Sequence, residues 1–297
     1  MDRVLEYEIP SEYDGANITT VLKRHFKIST NLIKDLKKYK EGIQVNGEHR
    51  RVVDFVAKGD ILKITIRDTA SENIVPTDIP LDIVYEDEDV LVINKPPNMP
   101  THPSMGNYEN SLANGVMYYY KSKGEERVFR AVNRLDKDTS GLMAVAKNSY
   151  IHARLGEEIQ KKELKRKYMC IVCGDVEHDG TVDAPIRRAD GSVINRIVAP
   201  DGQRAVTHYR VVKRYGEYTL LEMELETGRT HQIRVHMAYI GHPLVGDWLY
   251  GTENHNIAKR QMLHSCYLCF THPITGQIME FKDEMAEDMR AFIEKLS

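Results

Sequence analysis

The sequence lacks the features that would place it in a membrane or outside the cell. It contains no run of about 18 consecutive apolar residues, which a membrane-spanning helix would need. Its start, MDRVLEYEIP, carries acidic side chains where a secretory signal peptide needs a long apolar stretch. We therefore expect a soluble, cytoplasmic protein with no membrane partner.

Motifs for nucleotide and metal chemistry are also absent. The chain has no Gly-Lys-Ser/Thr phosphate-binding loop and no glycine pattern for binding a dinucleotide. His231 and His236 are five residues apart, whereas the two zinc-binding histidines of a metalloprotease helix are four apart. Nothing in these patterns favours ATP-driven, NAD-dependent or zinc-protease chemistry.

Only four cysteines are present, and they form two Cys-x-x-Cys pairs, a spacing that many zinc sites use. Both pairs lie in apolar segments typical of β-strands, where residues three apart point to opposite faces of the sheet. We therefore expect no metal. We interpret the cysteines as buried free thiols, Cys170 with Cys173 and Cys266 with Cys269.

The 297 residues include 41% hydrophobic and 29% charged side chains, enough for two folded domains. The formal net charge is −3, yet basic residues cluster locally. Residues 161–167 contain five basic side chains and one acidic side chain. A second cluster consists of Lys34, Lys37, Lys38 and Lys40. Such clusters fit RNA-binding surfaces as well as ordinary solvated helix faces.

Residues 1–70 predict a small unit of two helices and a sheet. Apolar residues recur at helical spacing over residues 18–26 and again over residues 29–36. Asn46-Gly47 is a strong hairpin signal, and residues 61–66 read as an alternating strand. These elements together predict a compact unit that presents a basic second helix.

A polar segment with two prolines predicts a linker at residues 71–80, followed by a second domain over residues 81–297. Predicted strands outnumber helices in this domain and come mostly in hairpins, as at residues 83–93. Helices are predicted at residues 150–162 and 231–239. We therefore expect an α+β domain built on a large, mainly antiparallel mixed sheet.

Three segments of this second domain are dense in polar motifs: residues 133–142 (NRLDKDTSGL), 165–168 (KRKY) and 228–247 (GRTHQIRVH to GHPLVGD). They closely resemble the motifs of the RluA group of RNA pseudouridine synthases. Lys95-Pro96-Pro97 resembles the upstream segment of that group, and the similarity covers about residues 80–280. The resemblance implies the pseudouridine synthase fold and an isomerase that converts uridine to pseudouridine in RNA without a cofactor.

The resemblance also implies three catalytic roles. Asp136 matches the catalytic carboxylate, Tyr168 the tyrosine packed against the target uracil, and Arg234 the arginine paired with the aspartate. Such a pair keeps a carboxylate ionised in a desolvated pocket, where an isolated one would take up a proton. The sequence leaves open whether Asp136 attacks as a nucleophile or removes a proton from the sugar.

RNA-binding roles are expected for further residues. Arg134 would fill the gap left when the target uridine swings out of its stack. Asn133 stands where the group commonly has histidine, so the positioning of the flipped uridine is expected to differ. The other expected RNA-binding residues are Arg229, His231, Lys34, Lys37 and Lys38.

The first unit resembles the αL-type RNA-binding module named after a ribosomal small-subunit protein. It departs from that module at Thr30-Asn31, where an arginine usually follows the serine. The residues that carry the similarity are Ser29, Leu32, Ile33, Gly42, Val45-Asn46-Gly47, Val56 and Gly59-Asp60-Ile61.

This module is typical of members of the group that act on ribosomal RNA. We therefore expect structured large-subunit (23S-type) ribosomal RNA as the substrate and a monomeric enzyme. Transfer RNA is the alternative substrate. A non-catalytic RNA-binding or ribosome-assembly factor on the same fold is the alternative function.

Overall fold

A computed structural model describes residues 2–67, 74–251 and 257–296 of the chain. Residues 71–73 of the predicted linker lie outside the described residues, and the boundary between the two domains stays a prediction. None of the described helices is long and apolar enough to cross a lipid bilayer.

The first part of the chain packs two short helices against a four-stranded antiparallel sheet. Each helix begins at a side chain that accepts a backbone hydrogen bond, Asn17 from Thr20 and Ser29 from Leu32. The predicted hairpin at Asn46-Gly47 is confirmed. The elements are β1 (Arg3–Glu8), α1 (Ile18–Arg24), α2 (Thr30–Leu36), β2 (Ile43–Val45), β3 (Glu48–His49) and β4 (Ile61–Ile66).

Strand β1 is absent from the prediction and pairs along its whole length with β4. Arg3 on β1 also contacts the second part of the chain. Its guanidinium donates to both carboxylate oxygens of Asp89 at 2.9 Å. Tyr150 donates a hydrogen bond to the backbone oxygen of Phe26 at 2.9 Å. The N-terminal unit is therefore held against the large sheet by polar contacts as well as by apolar packing.

The rest of the described chain is built on a nine-stranded mixed sheet, which confirms the predicted α+β class. Its strands are β5 (Asp82–Glu86), β6 (Val90–Lys95), β7 (Ser140–Ala146), β8 (Lys165–Cys173), β9 (Gly180–Asp183), β12 (Val206–Arg214), β13 (Tyr218–Leu225), β14 (Leu263–Thr271) and β15 (Ile278–Lys282). A separate ribbon consists of β10 (Ile186–Arg188) and β11 (Arg196–Val198). The helices are α3 (Leu112–Ser122), α4 (Ser149–Gln160), α5 (Gln232–Tyr239) and α6 (Glu287–Glu294).

Within this sheet the strand order is β5-β6-β7-β14-β8-β13-β12-β9, with β15 paired to β14. The pairing between β7 and β14 is parallel, and the other pairs are antiparallel. The expectation of a mainly antiparallel sheet is confirmed.

Strand β7 lies inside the sheet and is buried on both faces. Leu142 and Ala144 pack with α4 and the N-terminal unit, whereas Met143 and Val145 pack with α3 and α5. This alternation follows from the two-residue period of a strand. The loop that precedes β7, which carries Asp136, is therefore attached to a strand that two layers of core hold in place.

The expectation that all four cysteines are buried is wrong. Cys170 on β8 is fully buried, but Cys173, Cys266 and Cys269 are partly exposed. Cys173 is the last residue of β8, Cys266 lies at an irregularity in the pairing of β14, and Cys269 lies on the face of β14 opposite the buried Leu268 and Phe270. Among the described residues, no group of three or more histidine, cysteine or acidic side chains is arranged to hold a metal ion.

Candidate active site

Asp136 lies in a tight turn just before β7. The backbone N–H of Thr139 donates to the backbone carbonyl oxygen of Asp136 at 3.2 Å and closes this turn. The Asp136 side chain is 25% exposed, so it is accessible from outside. Its Oδ2 atom accepts a hydrogen bond from Nη1 of Arg234 at 3.2 Å. The fold thus brings together two residues that are 98 positions apart in the chain.

Arg234 is held in place by a second carboxylate, Asp247, whose side chain is fully buried. Nε of Arg234 donates to Oδ2 of Asp247 at 2.7 Å, and Nη2 donates to Oδ1 at 2.8 Å. Oδ1 also accepts the backbone N–H groups of Leu249 and Tyr250. This two-pronged pairing fixes the guanidinium plane and leaves the third nitrogen, Nη1, for Asp136.

Arg234 is buried, with only 4% of the residue exposed, yet its guanidinium keeps its charge. Burial by itself would lower the pKa of the guanidinium, but the hydrogen bonds and charge of Asp247 outweigh it and raise the pKa. The guanidinium therefore places a positive charge against Oδ2 of Asp136 and holds that carboxylate at a fixed position.

An aromatic layer covers the arginine. Cζ of Arg234 lies 5.1 Å from the ring centroid of Tyr250, a cation–π contact. The Tyr250 hydroxyl accepts the backbone N–H of Arg196 and lies 2.8 Å from Nδ1 of His231. His231 has a left-handed backbone, with φ at 58°, and its Nε2 lies 3.9 Å from Oδ2 of Asp136.

Burial lowers the pKa of His231, and the nearby charge of Asp136 opposes that effect only in part. The imidazole is therefore neutral near pH 7. His231 extends the polar wall around Asp136.

Tyr168 stands on β8 in the same neighbourhood, with 4% of the residue exposed. It forms no hydrogen bond with the described residues, so its hydroxyl is uncommitted. Burial raises the pKa of the phenol, and the charge of Asp136 raises it further while Arg166 lowers it. A neutral tyrosine near the Asp136 carboxylate offers an apolar surface for a planar base and a hydroxyl for proton transfer.

The sequence pattern of the RNA pseudouridylate synthase family matches residues 89–239, which is just over half of the chain and includes Asp136, Tyr168 and Arg234. The chain belongs to this family. The resemblance inferred from the three motifs is therefore confirmed, and so is the expected isomerase class. The pattern does not extend to the N-terminal unit, whose RNA-binding role stays a prediction.

Similar proteins give a consistent result. An uncharacterized RNA pseudouridine synthase of Bacillus subtilis, YjbO, is 44% identical over 268 residues, which are 90% of this chain and 94% of that protein. The ribosomal large subunit pseudouridine synthase D of Escherichia coli K12 is 44% identical over 232 residues, 74% of this chain and 71% of that protein.

The fold is shared with a solved structure of the human RNA pseudouridylate synthase domain containing 1. The TM-score is 0.57 at 22% sequence identity, over 74% of this chain and 96% of that chain. A likeness at this identity concerns the fold alone. The fold of this pseudouridine synthase, with its mixed sheet, is thus one that a solved structure already shows.

The sequence places Lys95 in the recognised segment Lys95-Pro96-Pro97 but predicts no contact for its side chain. Lys95, at the end of β6, is fully buried, and its Nζ donates to three backbone oxygens. These belong to Pro96 at 2.8 Å, Met99 at 2.8 Å and Lys137 at 3.0 Å. Lys137 follows Asp136 directly, so Lys95 holds the loop that carries Asp136 against the end of β6.

The contribution of Lys95 to stability is expected to depend on pH. Burial lowers its pKa to about 7, whereas the unfolded chain keeps the ordinary value of 10.5. Between these values the unfolded state binds more protons, so the free energy of unfolding rises with pH, by up to about 1.4 kcal/mol per pH unit. Urea unfolding at pH 7, 8 and 9 should show this rise in the wild type and a smaller one in Lys95→Met. Lys137→Met, at an exposed lysine of the same loop, is the control, and equal slopes in wild type and Lys95→Met would contradict the prediction.

The expected RNA-binding residues lie in three different settings. Arg134 is exposed and forms no hydrogen bond or ion pair with the described residues, so it is free to meet RNA. Asn133 is 3% exposed, and its Oδ1 accepts the backbone N–H of Ala144 at 2.9 Å. That contact holds β7, and the role of Asn133 in RNA positioning stays a prediction.

The remaining expected residues, apart from the largely buried His231 described above, are on the surface. Arg229 is exposed and donates to the backbone oxygen of Arg204 and to the side chain of Gln203. Lys38, two residues beyond the end of α2, forms an ion pair with Asp35 at 2.6 Å. The structure places these basic side chains in solvent, where RNA can reach them: Lys34, Lys37, Lys38 and Arg229.

A serine, a histidine and an aspartate form a chain that resembles a hydrolase triad. Oγ of Ser140 lies 2.9 Å from Nδ1 of His264, and Nε2 of His264 lies 3.1 Å from Asp283. Ser140 is 3% exposed and His264 is 2% exposed, and both lie at the pairing of two inner strands of the sheet. These contacts instead join β7 to β14 where the two strands run parallel.

A cavity of about 510 Å³ lies between β9 and the end of α5, away from the predicted site residues. Its lining includes four acidic side chains, which disfavour an RNA backbone by charge repulsion. We therefore place the substrate at Asp136 and not in this cavity. The acidic residues are Asp175, Glu177, Asp179 and Asp183.

Proposed function

We propose that this pseudouridine synthase isomerises specific uridines in structured large-subunit (23S-type) ribosomal RNA, with Asp136 as the catalytic carboxylate. The observation that carries the proposal is the chain of contacts from Asp247 through Arg234 to Asp136, next to Tyr168. The choice of RNA is supported by the names of several relatives, which are ribosomal large subunit pseudouridine synthases. A cytoplasmic, monomeric enzyme fits that substrate.

In the proposed reaction the target uridine leaves its stack and enters the space beside Tyr168. The bond from N1 of uracil to C1′ of ribose breaks, the base rotates, and a bond forms between C5 and C1′. C5 then loses its proton and N1 gains one, so the product is an isomer and no other reactant is consumed. Asp136 acts on the ribose, either by attack on C1′ or by removal of a sugar proton, and both roles need its ionised form.

The proposal assigns roles to four further residues, of which Tyr168 and Arg234 belong to the catalytic set. Tyr168 packs against the uracil ring, and its hydroxyl is available for the proton that leaves C5. Arg134 occupies the space vacated by the flipped uridine, since it is exposed and without a described partner. His231 and Arg234 form the polar wall that keeps the Asp136 carboxylate ionised and oriented.

The substrate is tested by mapping pseudouridine in RNA from cells that lack the gene. We expect one or a few positions of large-subunit ribosomal RNA to lose pseudouridine, and wild-type protein supplied from a plasmid should restore them. Loss confined to transfer RNA would contradict the ribosomal assignment and keep the reaction. No loss in any RNA would favour a non-catalytic RNA-binding factor.

A further inference from the structure

A second arginine near the site is buried without a counterion. Arg166 on β8 is 9% exposed, and its Nε is a buried nitrogen with no hydrogen-bond partner among the described residues. Neither its Nη1 nor its Nη2 forms an ion pair or a hydrogen bond with the part of the chain that the structure describes. An arginine in this state is unusual, because buried charges are ordinarily paired.

The position of Arg166 directs it toward the reacting centre. Arg166 and Tyr168 are two residues apart on β8, so their side chains leave the same face of the sheet. The charge of Arg166 lowers the pKa of the Tyr168 phenol, which places the guanidinium within electrostatic reach of that hydroxyl. Asp136 acts on the same phenol from another side.

The guanidinium also borders the loop that leads into α5. A side-chain carbon added at Gly228 would lie 3.6 Å from Nη1 and 3.8 Å from Nη2 of Arg166. Gly228 begins the segment that carries His231 and Arg234. The Arg166 guanidinium therefore lies between β8, which carries Tyr168, and the loop at Gly228 that leads to His231 and Arg234.

Two carboxylates lie close by without pairing with it. Glu224 and Glu226 line a small cavity of about 50 Å³ together with Arg166, but neither forms an ion pair with it. Glu226 is already committed to Lys162, Arg204 and His208. The described protein thus leaves the Arg166 charge unneutralised and its donors available.

We propose that Arg166 binds a backbone phosphodiester next to the flipped target uridine. This inference rests on the proposed function. A guanidinium presents donors in a planar fork that matches two phosphate oxygens, and every nucleotide of the substrate brings one such group. RNA binding then supplies the counterion that the protein lacks and ties the target nucleotide to β8 beside Tyr168. The cost of an unpaired buried charge in the free protein is offset when RNA binds.

The test combines one substitution with one change in the RNA. The probe is a synthetic stem-loop that contains a mapped target uridine, with each flanking phosphodiester replaced in turn by an uncharged methylphosphonate. Arg166→Met is expected to lower kcat/KM by about 30-fold, mainly through KM, in line with a lost charged hydrogen bond. One of the methylphosphonates should lower kcat/KM of the wild type by a similar factor and should have no further effect on Arg166→Met.

Independent, multiplying effects of the two changes would overturn the proposal. Lys213→Met, at an exposed lysine on β12 outside this cavity, is the control and should respond to both methylphosphonates as the wild type does. Arg166→Lys keeps the charge without the fork and should fall between wild type and Arg166→Met.

Thermal unfolding separates this role from a structural one. Because methionine replaces an unpaired buried charge, Arg166→Met is expected to keep or raise the Tm. A Tm lowered by several degrees, or a failure to fold, would show that Arg166 supports the fold and would contradict the proposal. If the wild type itself is inactive on the stem-loop, the proposed function fails; if the wild type is active and Arg166→Met is unchanged, only the phosphate contact fails.

Discussion

Arg234→Met is expected to abolish pseudouridine formation and to lower the free energy of unfolding by about 3–5 kcal/mol. The substitution leaves Asp247 buried, charged and without its two hydrogen bonds from the guanidinium. It also removes the cation that pairs with Asp136 and holds its carboxylate in place. Urea unfolding measures the first effect, and the single-turnover rate on RNA measures the second.

A double variant separates stability from catalysis. In Arg234→Met combined with Asp247→Asn, the buried charge is gone, while the amide oxygen still accepts the backbone N–H groups of Leu249 and Tyr250. We expect most of the lost stability to return and the activity to stay absent. Recovery of activity in the stable double variant would show that Arg234 serves the fold alone.

Asp136→Asn is expected to lower the rate of isomerisation by about 10³-fold or more while RNA affinity is kept. Asparagine fills the same space but cannot attack as an anion or remove a proton. The fold should hardly change, because the Asp136 side chain is 25% exposed and Arg234 keeps its pairing with Asp247. Single-turnover kinetics and RNA binding of the same preparation measure both quantities.

Asp138→Asn is the matched control, since it makes the same chemical change two residues further along the same loop. The Asp138 side chain forms no hydrogen bond or ion pair with the described residues. The Asp138→Asn variant should therefore retain most of the wild-type activity. Equal loss in both variants would mean that the loop tolerates no charge change, which would remove the special role of Asp136.

The residues of the reacting centre could be predicted because their motifs lie in the sequence itself. Asp136 and Arg234, far apart in the chain, do meet, and Tyr168 lies beside them. Asp247 and Lys95 also belong to recognised segments, but their roles depend on where their side chains point. A fully buried carboxylate behind the arginine and a lysine bound to three carbonyls are products of tertiary packing.

The fold class was predictable from strand periodicity, whereas some elements were not. Helix α3 contains Asn114, Gly115 and several aromatic residues, a composition with low helix propensity. It forms because Ser111 and Asn114 build a capping box and because one face packs into the core. The Ser140–His264 contact likewise joins strands that only the folded sheet brings together.

Release of tritium from RNA labelled at C5 of uridine tests the catalytic role of Asp136 most directly. C5 must lose its hydrogen when it bonds to C1′, so each isomerised uridine releases one label. We predict that purified wild-type protein releases tritium from large-subunit ribosomal RNA of cells lacking the gene, with no added cofactor, and that Asp136→Asn releases none. Release by both proteins, or by neither, would contradict the assignment of Asp136 as the carboxylate that isomerises uridine.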